Sequence, residues 1–370
     1  MAVPLLDLKA QYATIKHDVV AAMMRVVDEQ SFILGEPVSI LEQQVATLSQ
    51  STYAIGCANG TDALLLALRA LNVGRDDEVI TTPFTFFATG GATHNVGARP
   101  VFADIEPRTF NIAPHAVADA VTSRTRAVIA VDLFGQMAPM EQISAAAPGV
   151  PVIEDAAQSI GASRVIDGRT VMAGQAAAIG TFSFFPSKNL GGYGDGGMMV
   201  TQSDQLFDTL MKLRVHGGRK TYFHEVVGYN SRLDTLQAAV LSAKLPHLAA
   251  WSAARRANAA LYDEAFADVP EIVTPYVDPA NTSIYNQYTI RVPARDAFQA
   301  HLKAHGIGNS VYYPLPLHLQ PCFAYLGYSQ GQFPESERAA SEVISLPVYP
   351  ELTTAQRDQV IMRVRSFFGR

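Results

Sequence analysis

The chain, 370 residues long, is predicted to be an α/β protein with a large domain built on a mostly parallel mixed sheet and a smaller C-terminal α+β domain. Three observations point there. Between about residues 50 and 200, short β-branched runs alternate with Ala/Leu-rich stretches, the pattern of strands joined by helical crossovers. The runs are nearly continuous rather than alternating, as in strands buried on both faces. A long helical pattern over 231–266 contains Pro246, and a proline there ends or kinks a helix. Beyond it, strand and helix signals mix. The boundary therefore falls beside Pro246, with 1–245 as the large domain plus an N-terminal segment and 246–370 as the small one.

Taken in order, the strand candidates of the large domain are EVITTP, RPVFADI, AVIAVDLFG, VPVIEDAA and IGTFSFF. In the small domain NQYTIRVP reads as a strand and AFQAHLKAHG as a helix ending at Gly306. NSVYYPLPLHLQP reads as a strand entering a proline-interrupted loop, and ELTTAQRDQVIMRVRSFF as a last amphipathic helix capped near Thr353.

Composition excludes several classes. A net charge of −6 without a basic run lacks the electrostatic footprint of a nucleic-acid binder. With 48% hydrophobic and 17% charged residues the chain is too apolar to be disordered. Cys57 and Cys322 are the only cysteines, which argues for a reducing compartment. No run approaches the length of a membrane span, and Asp7 and Lys9 interrupt the start of the chain. A cytoplasmic enzyme is the expectation.

Ligands of parallel sheets sit at the carboxyl ends of the strands, so polar residues just past each run are the candidates. Glu154 and Asp155 close one run. Asp155 reads either as a helix N-cap or as a carboxylate facing the protonated ring nitrogen of a cofactor. Lys188 follows another run, behind Ser183 and Ser187 and ahead of five glycines within seven residues. It reads as a surface lysine on a hairpin, or as a desolvated amine able to attack a carbonyl. A dinucleotide fingerprint is excluded there because MMV, a strand signal, follows the glycines. Asn59–Gly60–Thr61 opens a helix whose free amides suit either a phosphate or a plain cap. TTPFTFFAT offers an aromatic platform or ordinary core.

Together IEDAAQS, FSFFPSKNLGGYGDGG, CANGTDAL and NSRLDTLQAA resemble the DegT/DnrJ/EryC1/StrS sugar aminotransferases, which depend on pyridoxal 5′-phosphate and have the aspartate aminotransferase-like fold type I. The similarity runs from LLDLKAQY to SLPVYPELT. It implies that Lys188 is the Schiff-base lysine, that Asp155 pairs with the pyridine nitrogen, that Gln158 sits by the ring hydroxyl and that Phe86 stacks on the ring. Gly60, Thr61 and Ser183 would contact the phosphate. Asn230 would reach it from a neighbouring subunit, which implies a homodimer with shared sites. Relatives that dehydrate sugars carry histidine at the Schiff-base position, so Lys188 speaks for transamination, with L-glutamate as donor and ping-pong kinetics.

The same resemblance places Tyr193, Arg219, Arg232, Tyr312, Tyr313 and His318 against the sugar nucleotide, with Lys220 as a further cation. For the arginines surface charge is the rival reading, and for His318 a satisfied loop histidine. NSRLDTLQAA and LPLHLQ are more similar to enzymes acting at C3 of the sugar than at C4. Both a UDP-linked 3-keto-uronic acid and a dTDP-linked 3-keto-6-deoxyhexose stay open, since the uronate group carries His where this chain has Tyr312. A C4 aminotransferase, another pyridoxal phosphate reaction such as an amino-acid lyase, and a cofactor-binding regulator are the alternatives. His301 and His305 lie four apart on a helix without a third ligand, so they are expected to be exposed and no metal is expected.

Overall fold

The computed structural model describes residues 2–370. The chain opens with two helices, α1 (Leu8–Glu29) and α2 (Glu36–Leu48). The Asp7 carboxylate accepts from the amides of Lys9 and Ala10 to cap α1. Ile15 and Val19 then bury against Val240 and Trp251.

The main sheet follows. Strand β1 (Tyr53–Cys57) leads into α3 (Gly60–Ala70), β2 (Glu78–Thr81) into α4 (Phe87–Asn95), and β3 (Arg99–Phe102) into α5 (Pro114–Ala120). Strand β4 (Thr125–Val131) leads into α6 (Met140–Ala146), then β5 (Val152–Asp155). A hairpin, β6 (Ser163–Ile166) and β7 (Arg169–Met172), precedes β8 (Ile179–Ser183) and β9 (Gly197–Thr201). The spatial order is β1-β9-β8-β5-β4-β2-β3, with β9 alone antiparallel to its neighbours. Every residue of β2, β5 and β9 is buried, which explains their unbroken apolar reading.

After α7 (Asp204–Leu213), α8 (Thr235–Lys244) and α9 (Leu248–Phe266) flank a single 3-10 turn holding Pro246. The long helical pattern is thus broken at its proline, and it starts four residues later than the sequence suggests. Leu248 packs with the sheet, whereas Ala259, Tyr262 and Phe266 enter a second core. That core is formed over an antiparallel pair, β11 (Tyr288–Arg291) and β12 (Val343–Leu346); the short β10 (Asn281–Thr282) instead joins the hairpin at β6. Helices α10 (Arg295–Ala304) and α12 (Thr354–Phe367) cover it and Val3 from the other end of the chain joins it, whereas α11 (Pro334–Glu342) packs Ala339 and Ala340 with Phe84 and Phe134 of the large domain. A capping box between Thr353 and Gln356 opens α12.

One expected strand is missing. Within 309–321 only Ser310 makes a bridge, to Ser345, before the chain runs extended into the turn Leu317–Leu319. Pro314 and Pro316 cannot donate to a ladder. His301 and His305 are half-buried rather than exposed, with Nε2 of His301 2.9 Å from the Arg363 carbonyl. Among the described residues no helix is long and apolar enough to cross a membrane.

Candidate active site

Because β9 runs against its neighbours, its amino end meets the carboxyl ends of β1 and β8: Gly197 pairs with both Cys57 and Ser183. This edge gathers the turn after β5, the loop after β8 and the start of α3. Gly197 is required there, since a Cβ would stand 2.4 Å from the Asn59 carbonyl carbon.

Asp155 ends β5 and is buried. No helix follows it, so the cap reading falls; its Oδ1 accepts the Ala157 amide at 3.3 Å within a turn. Its Oδ2 accepts the Thr89 hydroxyl at 3.0 Å. Burial raises its pKa from the ordinary carboxylate value, opposed by Thr89, Ala157 and nearby Lys188. Lys188 lies in the loop after β8, its amide bonded to the Phe185 carbonyl. Burial of its amine lowers its pKa to about 8, and the only opposing influence is Asp155. The Lys188 amine has no hydrogen-bond partner among the described residues.

Gln158 sits in the turn after Asp155. Its Oε1 accepts the Phe134 amide at 2.8 Å, which aims its Nε2 at the Tyr313 hydroxyl, 3.1 Å away. Phe134 holds a left-handed conformation (φ 60°) to present that amide. Burial raises the Tyr313 phenol well above its ordinary value, and Asp155 adds to the effect. Phe86, the residue before α4, lies 6.3 Å from the Tyr313 ring between centroids and is 57% exposed. An aromatic face is left open beside Gln158 and Asp155.

A phosphate cradle completes the edge. The Asn59 side chain accepts the Asp62 amide at 2.8 Å, which leaves the first amides of α3, at Gly60 and Thr61, uncommitted. Gly60 packs so closely on Ser183 that a Cβ would stand 2.7 Å from the serine Cβ. A buried carboxylate, a desolvated amine, an open ring face and a helix start with a serine hydroxyl form a donor set that fits a phosphorylated, cationic aromatic aldehyde.

Lys188, Asp155, Gln158, Tyr313, Phe86, Gly60, Thr61 and Ser183 thus share one edge. Of the remaining candidates Tyr312 touches this group through Tyr313, and the others do not join it within the single chain. Tyr193 is in the glycine loop, edge-on to Tyr12 and 42% exposed, while Tyr312 packs against Tyr313. Arg219 pairs with Asp208 at 2.9 Å. With Lys220 and Arg232 it lines an open basin. Asn230 is exposed, bridged through its backbone to Val215. His318 is 2% exposed, its Nε2 3.0 Å from Glu337 and its ring against Phe333; its side chain is spent on these two neighbours and presents no surface to a sugar.

Thr89, on the first turn of α4, and Lys244, which donates to the Gly191 carbonyl at 2.6 Å beneath the glycine loop, escaped the sequence reading. Thr89 stands three residues past Phe86 in a segment whose aromatics dominate. Lys244 lies within an Ala-rich helix with no motif to mark it.

The profile of the DegT/DnrJ/EryC1/StrS aminotransferase family matches residues 13–365. The chain is 50% identical over its whole length to a protein of Geobacillus stearothermophilus named a pleiotropic regulatory protein, covering 99% of it. It is 44% identical, again over its whole length and 98% of the relative, to the UDP-N-acetyl-3-dehydro-α-D-glucosamine 3-aminotransferase of Acidithiobacillus ferrooxidans. The fold superimposes with a TM-score of 0.96 on DesV of S. venezuelae, solved with a ketimine intermediate, at 39% identity over 100% of this chain and 99% of the other.

Proposed function

The chain belongs to the DegT/DnrJ/EryC1/StrS aminotransferase family, and from that premise we propose that it transfers an amino group from L-glutamate to C3 of a nucleotide-linked 3-keto sugar, using pyridoxal 5′-phosphate. The observation that carries this is the pairing of Lys188, a desolvated amine with no other partner, with Asp155 at one sheet edge.

Bound pyridoxal phosphate supplies an electron sink that stabilises negative charge on the carbon bearing the transferred nitrogen. The residues fit that role. Asp155 would hold the ring nitrogen, Phe86 the ring face, Gln158 with Tyr313 the hydroxyl side, and Gly60, Thr61 and Ser183 the phosphate. Lys188 would hold the aldehyde carbon and, once released, carry the proton between substrate carbon and cofactor. An amine of pKa about 8 suits that shuttle, since it exchanges protons near neutral pH.

The C3 assignment is supported by full-length likeness to an enzyme named for that position, and the sugar itself is proposed only as a nucleotide-linked 3-keto class. The relative named as regulatory keeps a regulator as the second reading; the intact Lys188–Asp155 chemistry favours the enzyme. The homodimer is part of the proposal, supported by the exposed Tyr222, Phe223 and Val227 on the segment leading to Asn230. We place the domain division at 245–246 beside the Pro246 turn. A cytoplasmic location accords with the unpaired Cys57 and Cys322.

The test supplies purified protein, pyridoxal phosphate and glutamate with nucleotide-linked 3-keto and 4-keto sugars, and reads amino-sugar nucleotide by mass spectrometry. Amine formed on 3-keto substrates alone supports the assignment. Amine formed only on 4-keto substrates contradicts it, and none on any sugar, with no glutamate turnover, favours the regulator.

A further inference from the structure

Asp155 is buried, and the helix that begins just after Phe86 also holds its carboxylate. Thr89 sits in the first turn of α4, three residues after Phe86, with its amide bonded to the Phe86 carbonyl at 3.3 Å. Its hydroxyl reaches Asp155 Oδ2 at 3.0 Å, and the Thr85 hydroxyl stands 3.1 Å behind it. Both threonines are at most 3% exposed, so no bulk water competes for these bonds.

The direction of this chain is fixed by the state of Asp155. An ionised carboxylate only accepts, so Thr89 must spend its one proton on Asp155 and take the Thr85 proton in turn. A protonated Asp155 would reverse or break that order. We infer that Thr85 and Thr89 form a buried hydroxyl relay that holds Asp155 as a carboxylate, making Thr89 a positioning residue for the cationic ring nitrogen of the cofactor. This rests on the pyridoxal phosphate reading above.

The need for such a relay is physical. Desolvation favours the neutral acid, and a neutral acid offers a ring cation little. The other donor, the Ala157 amide, is long at 3.3 Å, so Thr89 makes the better bond. The ionisable groups that face Asp155 are Lys188, from the loop after β8, and Tyr313, from the small domain. Neither is replaced by a change at Thr89.

The experiment measures pyridoxal phosphate affinity, by the visible absorbance of the bound cofactor, for wild type, Thr89→Val, Thr89→Ser and Thr85→Val between pH 6 and 9. Each variant is compared with wild type at the same pH, which cancels the cofactor's own titration. Thr89→Val is expected to bind about tenfold more weakly at the acid end of the range and to recover towards wild type as pH rises, the direction in which Asp155 gains its charge without the relay. Thr89→Ser should restore wild-type behaviour, and Thr85→Val should show a smaller loss with the same pH trend. A Thr89→Val loss equal at every pH, or none, overturns the relay and leaves Thr89 a packing residue. If Thr89→Val does not fold, Thr85→Val decides by the same criterion. A wild type that binds no pyridoxal phosphate overturns the cofactor reading instead, a result distinct from failure of the relay.

Discussion

Glu154 and Asp155, adjacent at the end of β5, serve opposite faces of the sheet. Asp155 accepts from Thr89 at 3.0 Å on the cofactor side. Glu154, fully buried, lies against Asp132, which itself accepts the Ala138 amide at 2.8 Å and the Ser159 hydroxyl at 2.7 Å. Alternation along a strand forces this division. Burial raises both carboxyls, the charge of Glu154 raises Asp132 further, and Glu154 stands at about 6 although a bond with Asp132 lowers it, so the pair retains a proton where exposed carboxylates have lost theirs. Ser159 stands next to Gln158, so this pair also anchors the turn that lines the site.

Stability should therefore fall as the pair is stripped of its proton. A group raised in the folded state contributes fully below its unfolded value and loses that contribution as pH rises through the folded one. Glu154→Gln removes the need for the proton and keeps a side chain of the same shape. Its stability relative to wild type should rise between about pH 4.5 and pH 7, as Glu154 of the wild type loses its proton near pH 6, by about 1 kcal/mol or more. Calorimetry over that range checks the slope; a difference independent of pH contradicts the shared proton.

Lys188 must be neutral to attack the cofactor aldehyde. With its pKa lowered to about 8 by burial, the rate of cofactor loading onto apoprotein should climb through pH 8 and level off above it. Stopped-flow absorbance measures this. A rate still climbing steeply above pH 10 would mean an ordinary exposed lysine.

Asp155→Asn keeps the acceptor for Thr89 but removes the charge. Cofactor affinity should weaken about 10- to 100-fold, the worth of a charge-assisted bond, and glutamate-driven turnover should fall by at least as much. Unchanged affinity and turnover would remove Asp155 from the ring nitrogen.

Much of this was legible in the chain. Strands β2, β3, β4, β5 and β8 of the main sheet announce themselves as apolar runs and MMV marks β9, while the edge strand β1 went unread; Asp155 and Lys188 stand just past such runs, where these sheets bind ligands. The rest depended on contacts distant in sequence. Helix α1 buries Ile15, Val19, Ala22 and Val26 but also exposes Val20, Met24 and Val27, so its inner stripe is apparent only once it packs against α8 and Trp251. His318 looked available for a sugar because its partner Glu337 comes nineteen residues later. The expected strand at 309–321 was outweighed by two prolines. Thr89 could have been found by asking which hydroxyl on the turn after Phe86 faces the end of the neighbouring strand.

The most direct measurement is to locate the lysine that holds the cofactor. Reduction of the reconstituted protein with borohydride, followed by digestion and peptide mass analysis, should place a single pyridoxyl phosphate adduct on the peptide containing Lys188, and Lys188→Ala should abolish it. An adduct on Lys244 or another lysine, or one that persists at full yield in Lys188→Ala, would contradict the account.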